Sequence, residues 1–165
     1  MPKAKRITEQ PLFENCKIIF KNFSGEQSQY NRAGDRNFCV VIDDLEIAAK
    51  MKEDGWNVKY LPPLDEGEEE TAYLPVTISF AIQPPTVKMF TSRGSENLDE
   101  STISTLDYAQ LKTVDLIVNP YNWEVNGKHG VKAYVKSLYV VLEEDALAKK
   151  YAGFDTSDPS DDLPF

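Results

Sequence analysis

One extended segment near the end of the chain alternates cationic and aromatic side chains with apolar ones. Lys132, Tyr134 and Lys136 share one face of the predicted strand, because successive side chains point to opposite faces. Lysines meet phosphates, and tyrosine rings stack on unpaired bases for roughly 1–3 kcal/mol per base. The alternation is typical of a face that binds single-stranded nucleic acid, although Lys and Tyr stems also cover ordinary solvated strands.

The same mixture of residue types recurs elsewhere along the chain. Cations lie near aromatic residues on several predicted strands, and other aromatics lie in predicted loops, where barrels place the walls of a binding groove. The further candidate nucleic-acid-binding residues are Lys17, Lys21, Tyr30, Arg32, Arg36, Lys88, Phe90, Arg93 and Trp123. Trp123 could instead close one end of the core, and Trp56, at a strand start, is predicted to be a core residue.

The last residues of the chain combine acids with an apolar tip. Asp161, Asp162, Leu163, Pro164 and Phe165 place two carboxylates before an aliphatic side chain, a proline and an aromatic ring. Such a tip can enter a small apolar pocket with Arg or Lys at its rim, while upstream acids meet a basic surface. We therefore predict a partner-docking tip. The alternative is an acidic tail that only keeps the protein in solution.

Net charge alone argues against a nucleic-acid partner, since 18 Lys and Arg face 27 Asp and Glu and give −9. The acids, however, are unevenly distributed. Residues 143–165 carry seven acids and two lysines, and residues 65–70 carry five acids. The rest of the chain sums to +1, so the composition permits a local basic surface.

Few residues have the chemistry or spacing of a catalytic site. His129 is the single histidine, and Cys16 and Cys39 lie in apolar runs without the CxxC spacing of metal and redox sites. Asp43 and Asp44 precede a helical pattern as capping residues do, and their alternative role is as magnesium ligands of a nuclease. We predict a protein that is not an enzyme, with no catalytic residue, no metal and no cofactor.

Apolar patterning gives no sign of a membrane segment. The sequence contains no run of about 18 apolar residues, and no apolar stretch follows the basic residues at positions 3–6. We therefore expect a cytosolic protein without a signal peptide.

Hydrophobic periodicity predicts a mainly β domain. One short helix is predicted between Asp44, its N-cap, and Gly55, its stop, and weaker helical patterns cover residues 99–111 and 143–150. Strands are predicted at residues 16–22, 36–42, 56–61, 73–82, 86–91, 114–121 and 131–142. These elements fit a curled barrel of five to seven strands with inserted short helices.

Three regions divide the chain. Residues 1–14 are predicted to form a flexible N-terminal arm, residues 15–152 the barrel domain, and residues 153–165 a disordered acidic tail. Within the domain, Asn126-Gly127 predicts a two-residue turn between the last two strands.

Five motifs resemble those of bacteriophage single-stranded-DNA-binding proteins: IFKNF at 19–23, YNRAGDRNF at 30–38, DGWNVK at 54–59, TSRG at 91–94 and NPYNW at 119–123. The ending is similar to the acidic tip of bacterial single-stranded-DNA-binding proteins. The resemblance implies an oligonucleotide-binding (OB) fold that coats phage DNA during replication or recombination in the host cytoplasm. It also implies a tail that recruits replication or recombination proteins.

The sequence departs from those families in two ways. Residues 43–55 and 95–112 exceed a minimal OB barrel, and the low-complexity linker of the bacterial proteins is nearly absent. The resemblance therefore leaves the reach of the tail and the oligomeric state open. An alternative function is an acidic adaptor or nucleic-acid mimic, which the charge of −9 favours and the lysines near aromatics do not.

Overall fold

Nine β-strands dominate a computed structural model that describes residues 6–27, 33–63, 65–81, 84–144, 147 and 150. The strands are β1 (Leu12–Phe13), β2 (Ile18–Asn22), β3 (Arg36–Ile42), β4 (Lys59–Leu61), β5 (Thr71–Ile78), β6 (Thr86–Thr91), β7 (Gly94–Leu98), β8 (Leu111–Val125) and β9 (Lys128–Leu142). Helix α1 covers Leu45–Asp54, and a 3-10 helix covers Ile103–Asp107. The predicted mainly β class is confirmed.

Helix α1 begins and ends at the residues that the sequence predicts. The Asp44 carboxylate accepts hydrogen bonds from the backbone N–H groups of Glu46 and Ile47, at 2.9 and 3.3 Å, which satisfies two free donors of the first turn. Gly55 ends the helix at φ 110°, a left-handed conformation that costs glycine little.

In the described residues, no helix has both the length and the apolar character needed to cross a membrane.

The sheet is built around β9. Strand β8 pairs antiparallel with one edge of β9, while the other edge pairs parallel with β5 near Ala133 and with β6 from Ser137 to Val141. Strands β3 and β2 extend the sheet beyond β5, β4 pairs with β5, and β7 pairs with β6. The strand order runs from β1 through β8, β9, β5 and β3 to β2, and β1 does not pair with β2 in the described residues, so the barrel is open.

One short stretch of chain nevertheless contacts both ends of this sheet. Strand β1 pairs with β8, and the backbone N–H of Cys16 then donates to the carbonyl of Val114 in β8 at 2.9 Å. One residue later, the Lys17 carbonyl accepts a hydrogen bond from Val41 of β3, also at 2.9 Å. The sheet therefore curls until its two ends are held together by consecutive residues.

Curling places one face of every long strand in a common core. On β3, β5 and β9 the inward side chains alternate with outward ones, and Phe38, Val40, Leu74, Val76 and Leu138 are completely buried. Each such side chain contributes about 1.5–3 kcal/mol when removed from water. Trp56 is 4% exposed, which confirms its prediction as a core residue.

Several predicted boundaries differ from those of the structure. The helical pattern over residues 99–111 forms only the 3-10 helix, because Asp99 accepts hydrogen bonds from Ser101 and Thr102 and closes a turn there. Those bonds also lower the pKa of the Asp99 carboxyl. Residues Gly94–Leu98 form β7, for which no strand was predicted. Strand β8 continues past Pro120. Strand β1 pairs with β8 only near Ile117, so the backbone N–H that Pro120 lacks interrupts no pairing with β1.

The predicted flexible arm is described from residue 6 onward, and this part lies along β8. Ile7 is buried, and its backbone N–H and carbonyl exchange hydrogen bonds of 2.8 Å with the Asn122 side chain. The predicted disordered tail lies outside the described residues, as does half of the predicted helix, at residues 145, 146, 148 and 149.

The Asp107 carboxylate joins the 3-10 helix to the end of β2. It accepts hydrogen bonds from the backbone N–H groups of Phe23 and Ser24, at 2.7 and 2.9 Å. Lys21 reinforces the junction, because its Nζ donates to the carbonyls of Leu106 and Ala109.

Asp107→Ala should lower the free energy of unfolding by about 2 kcal/mol, because it leaves two backbone donors without a charged acceptor. Asp107→Asn keeps one acceptor oxygen and should lose about half as much. Urea denaturation measures both, with Asp65→Ala in the exposed β4–β5 loop as a control that should stay within about 0.5 kcal/mol of the parent. An unfolding midpoint of Asp107→Ala equal to that of the control would show that the junction adds no stability.

Candidate nucleic-acid interface

The outward face of β9 carries the predicted alternation. The Lys132 Nζ lies 5.0 Å from the centroid of the Tyr134 ring, within the range of a cation–π contact. Tyr134 meets Tyr121 of β8 edge to face, with centroids 6.1 Å apart and an interplanar angle of 80°. Tyr121 is 57% exposed, so this pair presents both a cation and ring surface to solvent.

Trp123 lies beside this pair, on the outer surface and not in the core. It is opposite Gly130 in the register of β8 and β9, and it is 39% exposed. A Cβ built on Gly130 would lie 2.7 Å from the Cζ2 atom of Trp123, so the ring rests directly on the backbone of β9. We refer to Tyr121, Trp123, Lys132 and Tyr134 as the first aromatic cluster.

A hollow of about 590 Å³ opens next to the first aromatic cluster. Its wall includes Trp123, His129 and Lys132, together with Thr77 of β5 and Asn57 of the segment before β4. The hollow thus offers an indole ring, a cation and hydrogen-bonding side chains around one opening.

A second aromatic cluster lies farther along β9 and consists of Lys88, Phe90 and Tyr139. The Lys88 Nζ lies 5.6 Å from the Tyr139 ring centroid, and the rings of Phe90 and Tyr139 are 5.9 Å apart. Because Tyr139 follows Tyr134 by five residues, the two clusters are separated by roughly 17 Å along the strand.

Lys136 lies between the two clusters on the same strand. Its Nζ donates a 2.8 Å hydrogen bond to the Gln10 side chain, whose amide nitrogen in turn donates to Asn119 of β8 at 2.9 Å. Gln10 is neutral, so the lysine keeps its net charge while its position is fixed. One strand therefore presents lysines and aromatic rings along most of its outward face.

Four other predicted residues lie elsewhere. Lys17 and Lys21 line a separate hollow of about 680 Å³ between β2 and the start of β8, and the Lys21 ammonium is held by two backbone carbonyls. Arg36 lies with its guanidinium 5.9 Å from the Phe80 ring and 3.6 Å from Glu100, and its side chain is only 19% exposed. Arg93 is exposed at the β6–β7 turn.

The prediction for Tyr30 and Arg32 falls outside the described residues, as does the prediction for Asp161, Asp162, Leu163, Pro164 and Phe165.

The structure adds aromatic residues to the set of candidate binding residues. Tyr121 and Tyr139 belong to the two clusters, and a third pair joins Phe20 of β2 to Tyr73 of β5, with centroids 5.7 Å apart. Phe20 is 59% exposed, and Lys59 is opposite Tyr73 in the register of β4 and β5. Periodicity could have placed Tyr73 on the outward face, because its neighbours Ala72 and Leu74 point inward.

Acidic residues, cysteines and histidine are the side chains that most often serve catalysis or metal binding. Among the described residues, no group of three or more His, Cys, Asp or Glu side chains is placed to hold a metal ion. Burial raises the pKa of the Cys16 thiol and that of the Cys39 thiol to about 11 each, so both remain protonated at neutral pH. His129 is exposed at the start of β9.

Comparison with known proteins identifies a family and a fold. Residues 1–162 match the sequence profile of a family described as "putative phage ssDNA-binding domain". The chain belongs to this family. The resemblance that the five motifs indicate is therefore confirmed. A search of curated proteins gives no match.

Two solved structures share the fold of this phage domain. A C-terminal truncation of the single-stranded DNA-binding protein from bacteriophage Enc34 has a TM-score of 0.52 at 10% sequence identity, covering 86% of this chain and 94% of the other. Another structure of the bacteriophage Enc34 protein has a TM-score of 0.50 at 13% identity, covering 95% and 97%. At these identities the similarity concerns the fold alone.

In this phage domain, Gly130→Ala should displace the Trp123 ring from β9, since the added Cβ would lie closer than 3.0 Å to two of its atoms. Acrylamide should then quench tryptophan emission more strongly than in the parent, because Trp56 is buried and contributes little. Trp123→Phe, which leaves only Trp56, supplies the baseline. Identical quenching of the parent and Gly130→Ala would show that the ring does not rest on this glycine.

Proposed function

We propose that this phage domain binds single-stranded DNA with little sequence preference, through the outward face of β6, β8 and β9, in the cytoplasm of the host. One observation carries the proposal: two clusters of lysines and aromatic rings lie on a single face, with Lys136 between them. The proposed role is non-catalytic coating of DNA during phage replication or recombination. The solved structures with the same fold carry the name of single-stranded DNA-binding proteins, which is consistent with this role.

Binding would combine two kinds of contact. Lys88, Lys132 and Lys136 would neutralise phosphates and release counterions, which makes the affinity fall with salt. The exposed rings of Trp123 and Tyr134 would stack on bases, and every base offers a π-face, so stacking is tolerant of sequence. Paired bases in a duplex keep their faces stacked on each other, and the same rings would gain much less from double-stranded DNA.

The overall charge of −9 is compatible with this mechanism because charges act locally. At physiological ionic strength, interactions between exposed charges are largely screened beyond about 8 Å. The five acids of residues 65–70 lie in the exposed loop between β4 and β5, and not on the strands that carry the two clusters.

For the C-terminal residues we propose a second role. The acids at 155–165 would compete with DNA for the lysines, and the tip formed by Leu163, Pro164 and Phe165 would dock on replication or recombination proteins. The support is the sequence pattern, since a ring and a carboxylate fit a small apolar pocket with a basic rim.

A titration of labelled poly-dT at several salt concentrations tests the proposed DNA face. Lys88→Ala and Lys132→Ala should each reduce the slope of log K against log salt by about 0.7, the value per phosphate contact on single strands. Tyr134→Ala should instead weaken binding by roughly 1–3 kcal/mol with little change of slope.

Lys50→Ala on helix α1 is the matched control, because it removes the same charge away from the two clusters and should leave the slope unchanged. Equal slopes for all three lysine variants would refute the assignment of the face. If the parent protein shifts no oligonucleotide even at low salt, the acidic adaptor or mimic, which the charge of −9 favours, replaces the proposal.

Deletion of residues 155–165 removes four acids and should tighten binding to poly-dT, because the competing carboxylates are lost. The control replaces four acids of the β4–β5 loop, Glu66, Glu68, Glu69 and Glu70, by Gln, and so changes the net charge equally. A larger effect of the deletion supports competition by the tail. Equal effects would mean that only net charge matters.

A further inference from the structure

A groove on another part of the surface differs in composition from the proposed DNA-binding face of β6, β8 and β9. It lies between helix α1 and the N-terminal segment 9–16, has a volume of about 500 Å³, and includes none of the residues of the two aromatic clusters. We call it the helix groove.

Apolar side chains line a large part of the helix groove. Phe13, Met51 and Trp56 line it and also belong to the hydrophobic core or pack against it. Leu12 and Ile47 border it and are 56% and 52% exposed, so two large aliphatic side chains face solvent beside one concave surface. Exposed apolar groups around a hollow are typical of a surface that is covered by a binding partner.

The rim of the helix groove is strongly acidic. Its lining includes five carboxylates and a single lysine, Lys50; the acids are Glu9, Glu14, Asp43, Asp44 and Asp54. Within the described part of the chain, none of these five carboxylates forms an ion pair. Asp44 caps helix α1 and accepts only backbone N–H groups, so its negative charge is not neutralised by a cation.

We propose that the helix groove binds a basic amphipathic segment of a partner protein. Such a segment would place a row of apolar side chains at helical spacing against Leu12 and Ile47, with Lys or Arg on both sides of that row meeting the carboxylates. A segment of this kind matches the groove, because the groove combines apolar surface with a fivefold excess of acids over lysine.

Three other occupants fit less well. DNA and the acidic residues 155–165 carry the same sign of charge as the rim and are repelled by it. Residues 1–6 include Lys3, Lys5 and Arg6 but only Met1 as a large apolar side chain, which is too little to cover both Leu12 and Ile47.

The helix groove and the outward face of β9 would therefore bind different partners. Because the helix groove shares no residue with the two aromatic clusters, a basic partner would bind while DNA occupies the outward face of β9. This route of recruitment differs from the proposed docking of the acidic tip, since it requires a partner of opposite charge.

The probe is an 18-residue synthetic helix with leucines on one face and lysines on the others, labelled for fluorescence anisotropy. A scrambled peptide of the same composition, in which the leucines share no face, separates shape from charge. Three variants of the full chain are compared with the parent. They are Leu12→Ser with Ile47→Ser; Glu9→Gln with Glu14→Gln and Asp54→Asn; and, as the charge-matched control, Glu68→Gln with Glu69→Gln and Glu70→Gln.

We expect the parent to bind the amphipathic peptide at least about tenfold more tightly than the scrambled one. Each groove variant should lose about tenfold in affinity, and the loop control less than about twofold, since distant exposed charges are screened. Because Leu12 and Ile47 are exposed, replacing them should leave the fold intact, and far-ultraviolet circular dichroism checks this directly.

Two results would overturn the proposal: equal affinity for the two peptides, or equal losses in the groove variants and the loop control. Either result would mean that the peptide binds only through nonspecific electrostatic attraction to a protein of charge −9. Titration of the groove variants with poly-dT tests the proposed DNA face separately from the helix groove, because a failure to bind DNA contradicts only the proposed DNA face.

Discussion

Pairing of β9 along both edges is the constraint on which the rest of the structure depends. With β8 on one side and β5 and β6 on the other, the backbone of β9 is occupied by hydrogen bonds and one of its faces is buried. Only the outward face remains for contact with another molecule. Lys132, Tyr134, Lys136 and Tyr139 occupy that face, on a rigid support that fixes their spacing before any ligand arrives.

Charge is separated on this molecule by position and not by composition. Lysines lie beside rings on the outward face of β6 and β9, whereas carboxylates surround the helix groove and fill the β4–β5 loop. A chain with the same totals but mixed positions would have neither a cationic track nor an acidic groove. The net value of −9 therefore says little about what any one surface attracts.

Much of the fold follows from local rules that the sequence displays. The capping pair of Asp44 and Gly55 indicates helix α1, runs of β-branched and aromatic residues indicate β3 and β5, and Asn126-Gly127 forms the β8–β9 turn with both residues at positive φ. The register of long strands does not follow so simply. The pairing shifts between Val118↔Val135 and Ile117↔Ser137, which leaves Lys136 as an additional residue on β9.

That shift explains why the sequence pattern did not place Tyr139 on the same face as Tyr134. Before the bulge the even-numbered residues of β9 face outward, and after it the odd-numbered ones do, so strict alternation would have placed Tyr139 inside. Lys21 and Arg36 are predicted DNA contacts that also have partners within the protein. Their residue types suggest DNA contacts, yet two carbonyls hold one and the Phe80 ring and Glu100 hold the other, and only tertiary structure reveals such partners.

The N-terminal segment also covers one edge of the sheet. Residues 7–13 cover the side of β8 that faces away from β9, through Ile7 at Asn122, the Pro11 carbonyl at Val118 and the pairing of Leu12 with Ile117. Without this cover, a long strand would present unpaired donors and acceptors, and a neighbouring copy could add a strand to it. Residues 7–13 therefore protect this edge of β8 from pairing with a strand of another molecule.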